Sequence, residues 1–384
     1  MFDKSIEIEV ERIKDEIIEW RRDFHMYPEL GFEEYKTSEK IQKILKEIGI
    51  PYEIKGKTGV IGFINKNSKQ TIGLRADMDA LPINEETNLP FSSKNKGVMH
   101  ACGHDGHITV LLGIGKVLFK FIDYLKYNVK LIFQPCEEKP PGGASILIKE
   151  GVIEDVDFLI GYHFFSDIPL YKVYIESGSV MANTDRFEII IEGKGGHGST
   201  PHLTNDPIVC SSFLISNLQT IISRKISPFE PSVISICKIK GGEVFNVIPD
   251  RVEIEGTVRT LSEKTRRKIK SEIKNITEKI TSSFKCKYIF RYDYYSPALK
   301  NDFKLTEKIK KISRKILPQK YFYNYHPIMG GEDFAFYSRI VPSTYIFIGS
   351  GKKSGVHHSS KFNLDERVLP FAVKYLSQLV LMFD

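Results

Sequence analysis

Residues 108–135, ITVLLGIGKVLFKFIDYLKYNVKLIFQP, pass from one hydrophobic pattern to another. ITVLLGIGKVLFKFID is apolar over a helical length, whereas NVKLIFQP is a short apolar run stopped by Pro135 and reads as a buried strand. The same alternation holds upstream. TSEKIQKILKEIG (37–49) is a helix ending at Gly49, and TIGLRADMDALPI (71–83) is a buried strand running into a loop. Helices alternating with buried strands build a largely parallel sheet with helices on its faces, so the fold class is α/β.

Beyond about residue 180 the rhythm changes. Strand RFEIIIEGKG (186–195) precedes helix DPIVCSSFLISNLQTIIS (206–223). Strands SVISICKIKGG (232–242) and RVEIEGTVRT (251–260) follow, then helix EKTRRKIKSEIKNITEKITSSF (263–284) and strand KCKYIFRYDY (285–294). The order β-α-β-β-α-β is the split βαβ, or ferredoxin-like, arrangement. Strand STYIFIGS (343–350) and helix LPFAVKYLSQLVLMF (369–383) then restore the first rhythm. The expectation is one α/β domain made from residues 1–180 and 296–384, interrupted by an α+β domain at 181–295.

The chain of 384 residues is long enough for two such cores. No apolar run is long enough for a membrane helix. The N-terminal MFDKSIEIEVERIKDEIIEW is an amphipathic helix rather than a secretory signal. Five cysteines, an odd number without disulfide-like spacing, fit a reduced cytoplasm. The net charge of +7 comes mostly from lysines interspersed with glutamates on helical patterns, a solvated face rather than a nucleic-acid surface.

Chemistry concentrates in MHACGHDGH (99–107). Cys102 and His104, two residues apart around a glycine, can point at one ion; alone, they could equally be a buried thiol beside a helix-capping histidine. FQPCEE places Glu137 and Glu138 just after a strand, IGYHF places His163 after another apolar run, and GVHHSSKF adds His357 and His358. Three of these four groups fall at the mouths of expected sheet strands, where α/β proteins carry their sites, so a shared metal site is the better reading. Adjacent glutamates after a strand point in different directions, so one can ligate while the other faces substrate. With a metal that acidifies water, such a pair suits hydrolysis of an amide or ester.

RRDFHMYPELGFEEYKT, LRADMDALPI, MHACGHDGH, FQPCEEKPPGGA, GKGGHGSTPH, GGEVFNVIP, GTVRTL, MGGEDFAFY and VHHSSKF occur in an order that resembles the M20 peptidase-family amidohydrolases. The subgroup most similar contains aminoacylases, hippurate hydrolases, auxin-conjugate hydrolases and N-acetyldiaminopimelate deacetylases. The resemblance covers nearly the whole chain and implies a dinuclear metallopeptidase-type α/β domain with an inserted ferredoxin-like lid and dimerisation domain. It implies two divalent ions per subunit, Zn, Mn, Co or Ni. Cys102 resembles the ligand bridging them, with His104, Glu138, His163 and a late histidine completing the set; counting back from Phe362 selects His358 and leaves His357 as neighbour. Glu137 resembles the general acid/base, and Asp79 an orienting acid behind a ligand. His197 resembles the lid histidine that bonds the developing oxyanion, Asn246 a second polar group there, and Arg259 the arginine that binds the substrate's α-carboxylate. The resemblance also implies a homodimer, or a tetramer, in which His197 of one chain lies over Glu137 of the other.

The implied activity is metal-dependent hydrolysis of N-acyl-L-amino acids. N-acetyldiaminopimelate deacetylase, hippurate hydrolase and short-substrate carboxypeptidase are the alternatives. A non-catalytic metal-binding protein would lack Glu137 or a ligand, and all are present. A zinc knuckle for nucleic acid would be compact, whereas these ligands span 102 to 358. Two departures stand out: Cys136 where the family usually has Ala adds an oxidisable thiol beside the glutamates, and Ser360 where it usually has Pro is expected to loosen the His358 loop.

Overall fold

The computed structural model describes residues 2–384. The chain forms two compact units: one of residues up to Gly178 with Lys300–His326 and Phe336–Asp384, the other of Ser179–Leu299 with Pro327–Ala335. In chain order the first unit carries α1 (Phe2–Arg12), α2 (Lys14–Met26), α3 (Tyr35–Ile48), β1 (Tyr52–Lys55), β2 (Gly59–Ile64), β3 (Thr71–Asp77), α4 (His104–Lys120), β4 (Asn128–Gln134), α5 (Gly143–Lys149), β5 (Phe158–Phe165) and β6 (Val173–Tyr174). After β7 (Gly178–Met181) come β8 (Thr184–Glu192), β9 (Gly196–His197), α6 (Pro207–Thr220), β10 (Ser232–Gly241), β11 (Val247–Ile248), β12 (Arg251–Thr260), α7 (Glu263–Ser283) and β13 (Lys287–Ser296). The chain ends through β14 (Leu299–Asn301), α8 (Phe303–Ile316), β15 (Ser343–Gly349) and α9 (Val368–Leu381).

The first unit is built on a sheet of order β1-β2-β4-β3-β5-β15-β6. Its four central strands, β4, β3, β5 and β15, are parallel. The edges are antiparallel, because β1 turns straight into β2 and β6 folds back on β15. The sheet is therefore mixed, with the parallel part confined to its middle. The strands β3, β4 and β15 read as apolar runs because they are almost wholly buried. Helix α4 packs against α2, α9 and β3 and is buried along most of its length, which explains a sequence too apolar all round for a surface helix. A β-carbon at Gly106 would overlap the Leu364 side chain, so glycine lets α4 lie close against the segment that follows His358.

Two helices replace the single N-terminal helix of the sequence reading. They are separated at Ile13 (φ −98°, ψ 3°), although its amide still bonds Glu9 O at 3.1 Å.

The second unit holds a four-stranded antiparallel sheet of order β10-β12-β8-β13. Numbered within the unit this is strand order 2-3-1-4, with helices α6 and α7 between strands, as a split βαβ arrangement requires. Phe187, Ile189 and Ile191 of β8 and Val252 and Ile254 of β12 alternate into its core, where they meet Leu214 and Leu218 of α6 and Ile269 and Ile273 of α7. Residues 327–335, which strand-helix alternation assigns to the first unit, group with the second. Backbone bonds hold them there: Ile328 N–H donates to Val180 O, and Ala182 N–H to Ile328 O and Gly330 O, at 2.9–3.1 Å. Among the described residues no helix is long and apolar enough to cross a membrane.

Candidate metal centre

The parallel strands aim their carboxyl ends at one region of the first unit. β3 ends at Asp77 and leads to Asp79; β4 ends at Gln134 and leads to Glu137 and Glu138; β5 carries His163 near its end. Helix α4 starts at His104, directly after Gly103 in a left-handed conformation (φ 91°). That turn sets Cys102 and His104 on the strand ends. The last contributor is the 355–362 loop, fastened where His358 N–H donates to Ala101 O at 2.8 Å.

Donor atoms of Cys102, His104 and His163 lie within 4.8 Å of one another, as do those of Cys102, Glu138 and His358. Cys102 is common to both groups. A further group joins His104, Glu137 and Glu138. Of the two late histidines only His358 falls in such a group; its Nε2 lies 3.2 Å from Glu138 Oε1. The His357 ring instead packs against Phe165 and Phe362 while its Nε2 accepts Ser166 N–H at 3.3 Å.

Backbone carbonyls set the histidine tautomers. His104 Nδ1–H donates to Asp79 O at 2.8 Å and His163 Nδ1–H to Phe164 O at 2.7 Å. Each ring therefore offers its Nε2 lone pair to the cluster; that of His163 lies 3.4 Å from Cys102 Sγ. His104 Nε2 is buried with no hydrogen-bond partner among the described residues, and the buried Glu138 Oε1 faces His358 Nε2 at 3.2 Å, as expected of ligand atoms aimed at a common centre. Thiolate, imidazole and carboxylate together suit borderline divalent ions such as zinc better than magnesium or calcium. Divalent ions held by these two groups would both draw on Cys102, and the donor chemistry fits such ions.

A third buried group, Asp77, His104 and His107, could also hold an ion by distance alone. Its hydrogen bonds exclude that use of His107. Nδ1–H donates to Asp77 Oδ1 at 2.6 Å and Nε2 accepts Phe164 N–H at 3.1 Å, so neither nitrogen is left for a metal. Asp77 also accepts from Arg75 at 2.7 Å and lies 3.6 Å from His104 Nε2. Burial opposes its charge, but His104, His107 and Arg75 hold its pKa well below the usual carboxylate range. Asp77 is thus a fixed negative charge close to His104 Nε2. Asp77 is absent from the residues expected at the site, although RADMD puts carboxylates two residues apart and so on one face of a strand-like segment.

Asp79 acts on the glutamates. Its Oδ1 accepts Glu137 N–H at 2.9 Å and its Oδ2 accepts Glu138 N–H at 3.0 Å, so one carboxylate fixes the backbone from which both side chains depart.

The two departures from the family pattern are accommodated locally. Cys136 is fully buried with its thiol against Lys139 O, which shields it from oxidants. Ser360 does not leave its loop loose: its hydroxyl donates to Glu86 Oε2 at 2.7 Å and its carbonyl accepts Glu86 N–H at 2.8 Å. The neighbouring Glu85 anchors that strap. Burial would raise its pKa, but His25, the Thr87 hydroxyl and Ser93 N–H outweigh burial and bring it to about 2. A depressed carboxylate stabilises the fold above its unfolded pKa, and that stability is lost as pH falls through the folded value. Glu85→Gln should therefore be less stable than the parent by about 2–3 kcal/mol at pH 6, the gap closing as pH falls from about 4.5 to about 2. Urea unfolding at a series of pH values checks this; a gap that stays constant across that range would contradict it.

In the second unit His197 lies on β9, opposite Val247 of β11. Gly198 N–H donates to Asn246 O at 2.8 Å, so His197 and Asn246 belong to one small, exposed two-stranded element. His197 Nδ1 accepts Ser199 N–H at 3.1 Å and lies 2.7 Å from the Ser199 hydroxyl, which leaves Nε2–H as an outward donor. Arg259 is half-buried on β12, where its guanidinium donates to Thr257 Oγ1 and to Val258 O. Burial lowers its pKa, and among the described residues no carboxylate forms a salt bridge with it.

Residues 73–382 match the family described as peptidase family M20/M25/M40. The chain is 40% identical to thermostable carboxypeptidase 1 of Saccharolobus solfataricus over 99% of this chain and 98% of that one. It is also 40% identical to N-acetyl-L-cysteine deacetylase of Bacillus subtilis, over 97% of this chain and 89% of that one. Among solved structures, a dinuclear metal-binding peptidase of the M20 family from Bacillus subtilis superposes with a TM-score of 0.86 at 34% identity, covering 97% of this chain and 98% of that one.

Proposed function

The chain belongs to peptidase family M20/M25/M40 and is a metallohydrolase of amide bonds, and on that premise we propose that it cleaves N-acyl-L-amino acids, with Cys102 shared between two divalent ions. The observation that carries the reading is the pair of donor groups meeting at Cys102, with Glu137 beside them but in neither. His104 and His163 would complete one site, Glu138 and His358 the other. The bound ions supply positive charge that polarises the scissile carbonyl and acidifies water.

The chain's own residues do the rest. Glu137 takes the proton of the attacking water and passes it to the leaving amine nitrogen, as a general base and then acid. His197 presents Nε2–H to the oxyanion, with Asn246 beside it; a donor aimed at charge that appears only in the transition state accelerates the step. Arg259 binds the free α-carboxylate, for which a planar guanidinium fork is suited. Arg259→Ala should then raise KM for N-acetyl-amino acids about tenfold or more, while their C-terminal amides, already lacking that anion, change little. Equal losses on both would make Arg259 structural.

Forty per cent identity to a carboxypeptidase favours a second reading, short peptides with a free C-terminus. Both substrate classes present a carboxylate beside the cleaved amide, so a panel of N-acetyl-amino acids, hippurate, N-acetyldiaminopimelate and dipeptides separates them by kcat/KM. Five free thiols, one of them a proposed ligand, favour the reducing cytoplasm.

We further propose a homodimer in which His197 serves the partner's centre. Mixing Glu137→Ala with His197→Ala chains then regenerates one site per mixed dimer that is intact in both residues. Random exchange makes half of all dimers mixed, so about a quarter of the sites recover. With subunit exchange demonstrated independently, a mixture that stays inactive means that His197 works within its own chain.

A further inference from the structure

We propose that Glu34 is a positioning residue for the segment that carries Glu137 and Glu138, an inference that rests on the roles assigned to those two glutamates. Three successive amides, those of residues 136–138, are taken up by two carboxylates from distant parts of the first unit. Asp79 receives the second and third. Cys136 N–H, the first, donates to Glu34 Oε1 at 2.8 Å.

Cys136 needs such a partner. Its φ of 49° lies in the left-handed region, which a β-carbon disfavours. This residue lies two positions beyond the end of β4 and immediately before Glu137 and Glu138. Its carbonyl is also held, accepting Gly143 N–H at 2.7 Å. From the other side the loop before α3 lies close against it: a β-carbon at Gly31 would approach Cys136 Sγ to 2.6 Å.

Glu34 is itself held. It is 0% exposed, and its Oε2 accepts the Thr58 hydroxyl at 2.6 Å. A buried carboxylate close to the charge of Asp79 is a costly acceptor for one amide and one hydroxyl. Its retention makes sense where the amide it holds sets the aim of a catalytic base, because outer partners of metal and catalytic groups commonly control activity 10- to 100-fold, in rough terms.

The experiment compares metal-loaded Glu34→Ala, Glu34→Gln, Thr58→Val and Glu137→Gln with the parent on N-acetyl-amino acids, recording kcat, KM and metal content for each. Glu34→Ala should lose about 10- to 100-fold in kcat with both metals bound and KM within about twofold of the parent. Glu34→Gln, which keeps an acceptor for Cys136 N–H, should recover most of that loss, and Thr58→Val should lower kcat by a smaller factor. If Glu34→Ala does not fold, a lowered kcat at constant KM in Thr58→Val still supports the inference. An unchanged kcat in Glu34→Ala, or in Thr58→Val where it stands alone, overturns it. So does a loss carried by KM or metal content, or a Glu34→Gln variant as impaired as Glu34→Ala. A Glu137→Gln variant with parental turnover would instead overturn the reading on which the inference rests, whereas an inactive Glu137→Gln beside an unaffected Glu34→Ala removes the Glu34 role alone.

Discussion

Glu137→Gln should yield a folded protein that keeps both metals and loses about a thousandfold in kcat, within the range typical of a removed general base. The amide is nearly the same size as the carboxylate and leaves the backbone bond from residue 137 to Asp79 Oδ1 untouched. What disappears is the proton acceptor. KM should change little, since Glu137 is assigned to the water and the leaving nitrogen rather than to the substrate's carboxylate. The neighbouring substitution separates the two roles. Glu138→Gln weakens a buried donor atom that faces another candidate ligand, His358 Nε2, at 3.2 Å, so its loss of activity should track metal content and be relieved by added metal. Metal loss in Glu137→Gln with full loading in Glu138→Gln would mean that the two assignments are exchanged.

Cys102→Ala should have the other large effect, the loss of metal and activity together. Cys102 is the member common to both donor groups, so its removal leaves each with two of its three side chains. No other thiol is among the candidate donors to replace it. The fold itself should persist, because Cys102 is only partly buried and lies in a loop rather than in a strand or helix of the core. Circular dichroism should therefore match the parent while bound metal falls to a small fraction of the parental content. Full activity with unchanged metal in this variant would remove Cys102 from the centre.

Much of the candidate centre is legible in the sequence because the proposed chemistry uses scarce residues at predictable places. Cys102, His104, Glu138 and His163 could be picked out since thiols, imidazoles and paired carboxylates at the ends of apolar strands are hard to explain as core or as surface. The choice between His357 and His358 rests on a resemblance; in the structure His358, with a left-handed φ of 62°, has its Nε2 3.2 Å from Glu138 Oε1, while His357 packs among aromatic rings. Residues that hold the centre were less legible. Asp77 could have been found from its two-residue spacing to Asp79. Glu34 could not, because its role arises from a contact across 102 positions, and two glutamates at the start of a helix look like ordinary charges near a helix dipole. The return of residues 327–335 to the second unit was invisible for a related reason: it rests on backbone hydrogen bonds, which carry no side-chain signature.

The central claim is that hydrolysis depends on two ions meeting at Cys102, and stepwise reconstitution tests it most directly. Metal-free protein is titrated with Zn, Mn, Co or Ni while hydrolysis of an N-acetyl-L-amino acid is followed alongside bound metal. The account predicts no turnover without metal and full turnover only as two equivalents per chain bind, with Cys102→Ala inactive throughout. Full turnover in the metal-free protein, or saturation at one equivalent with Cys102→Ala still active, would contradict it.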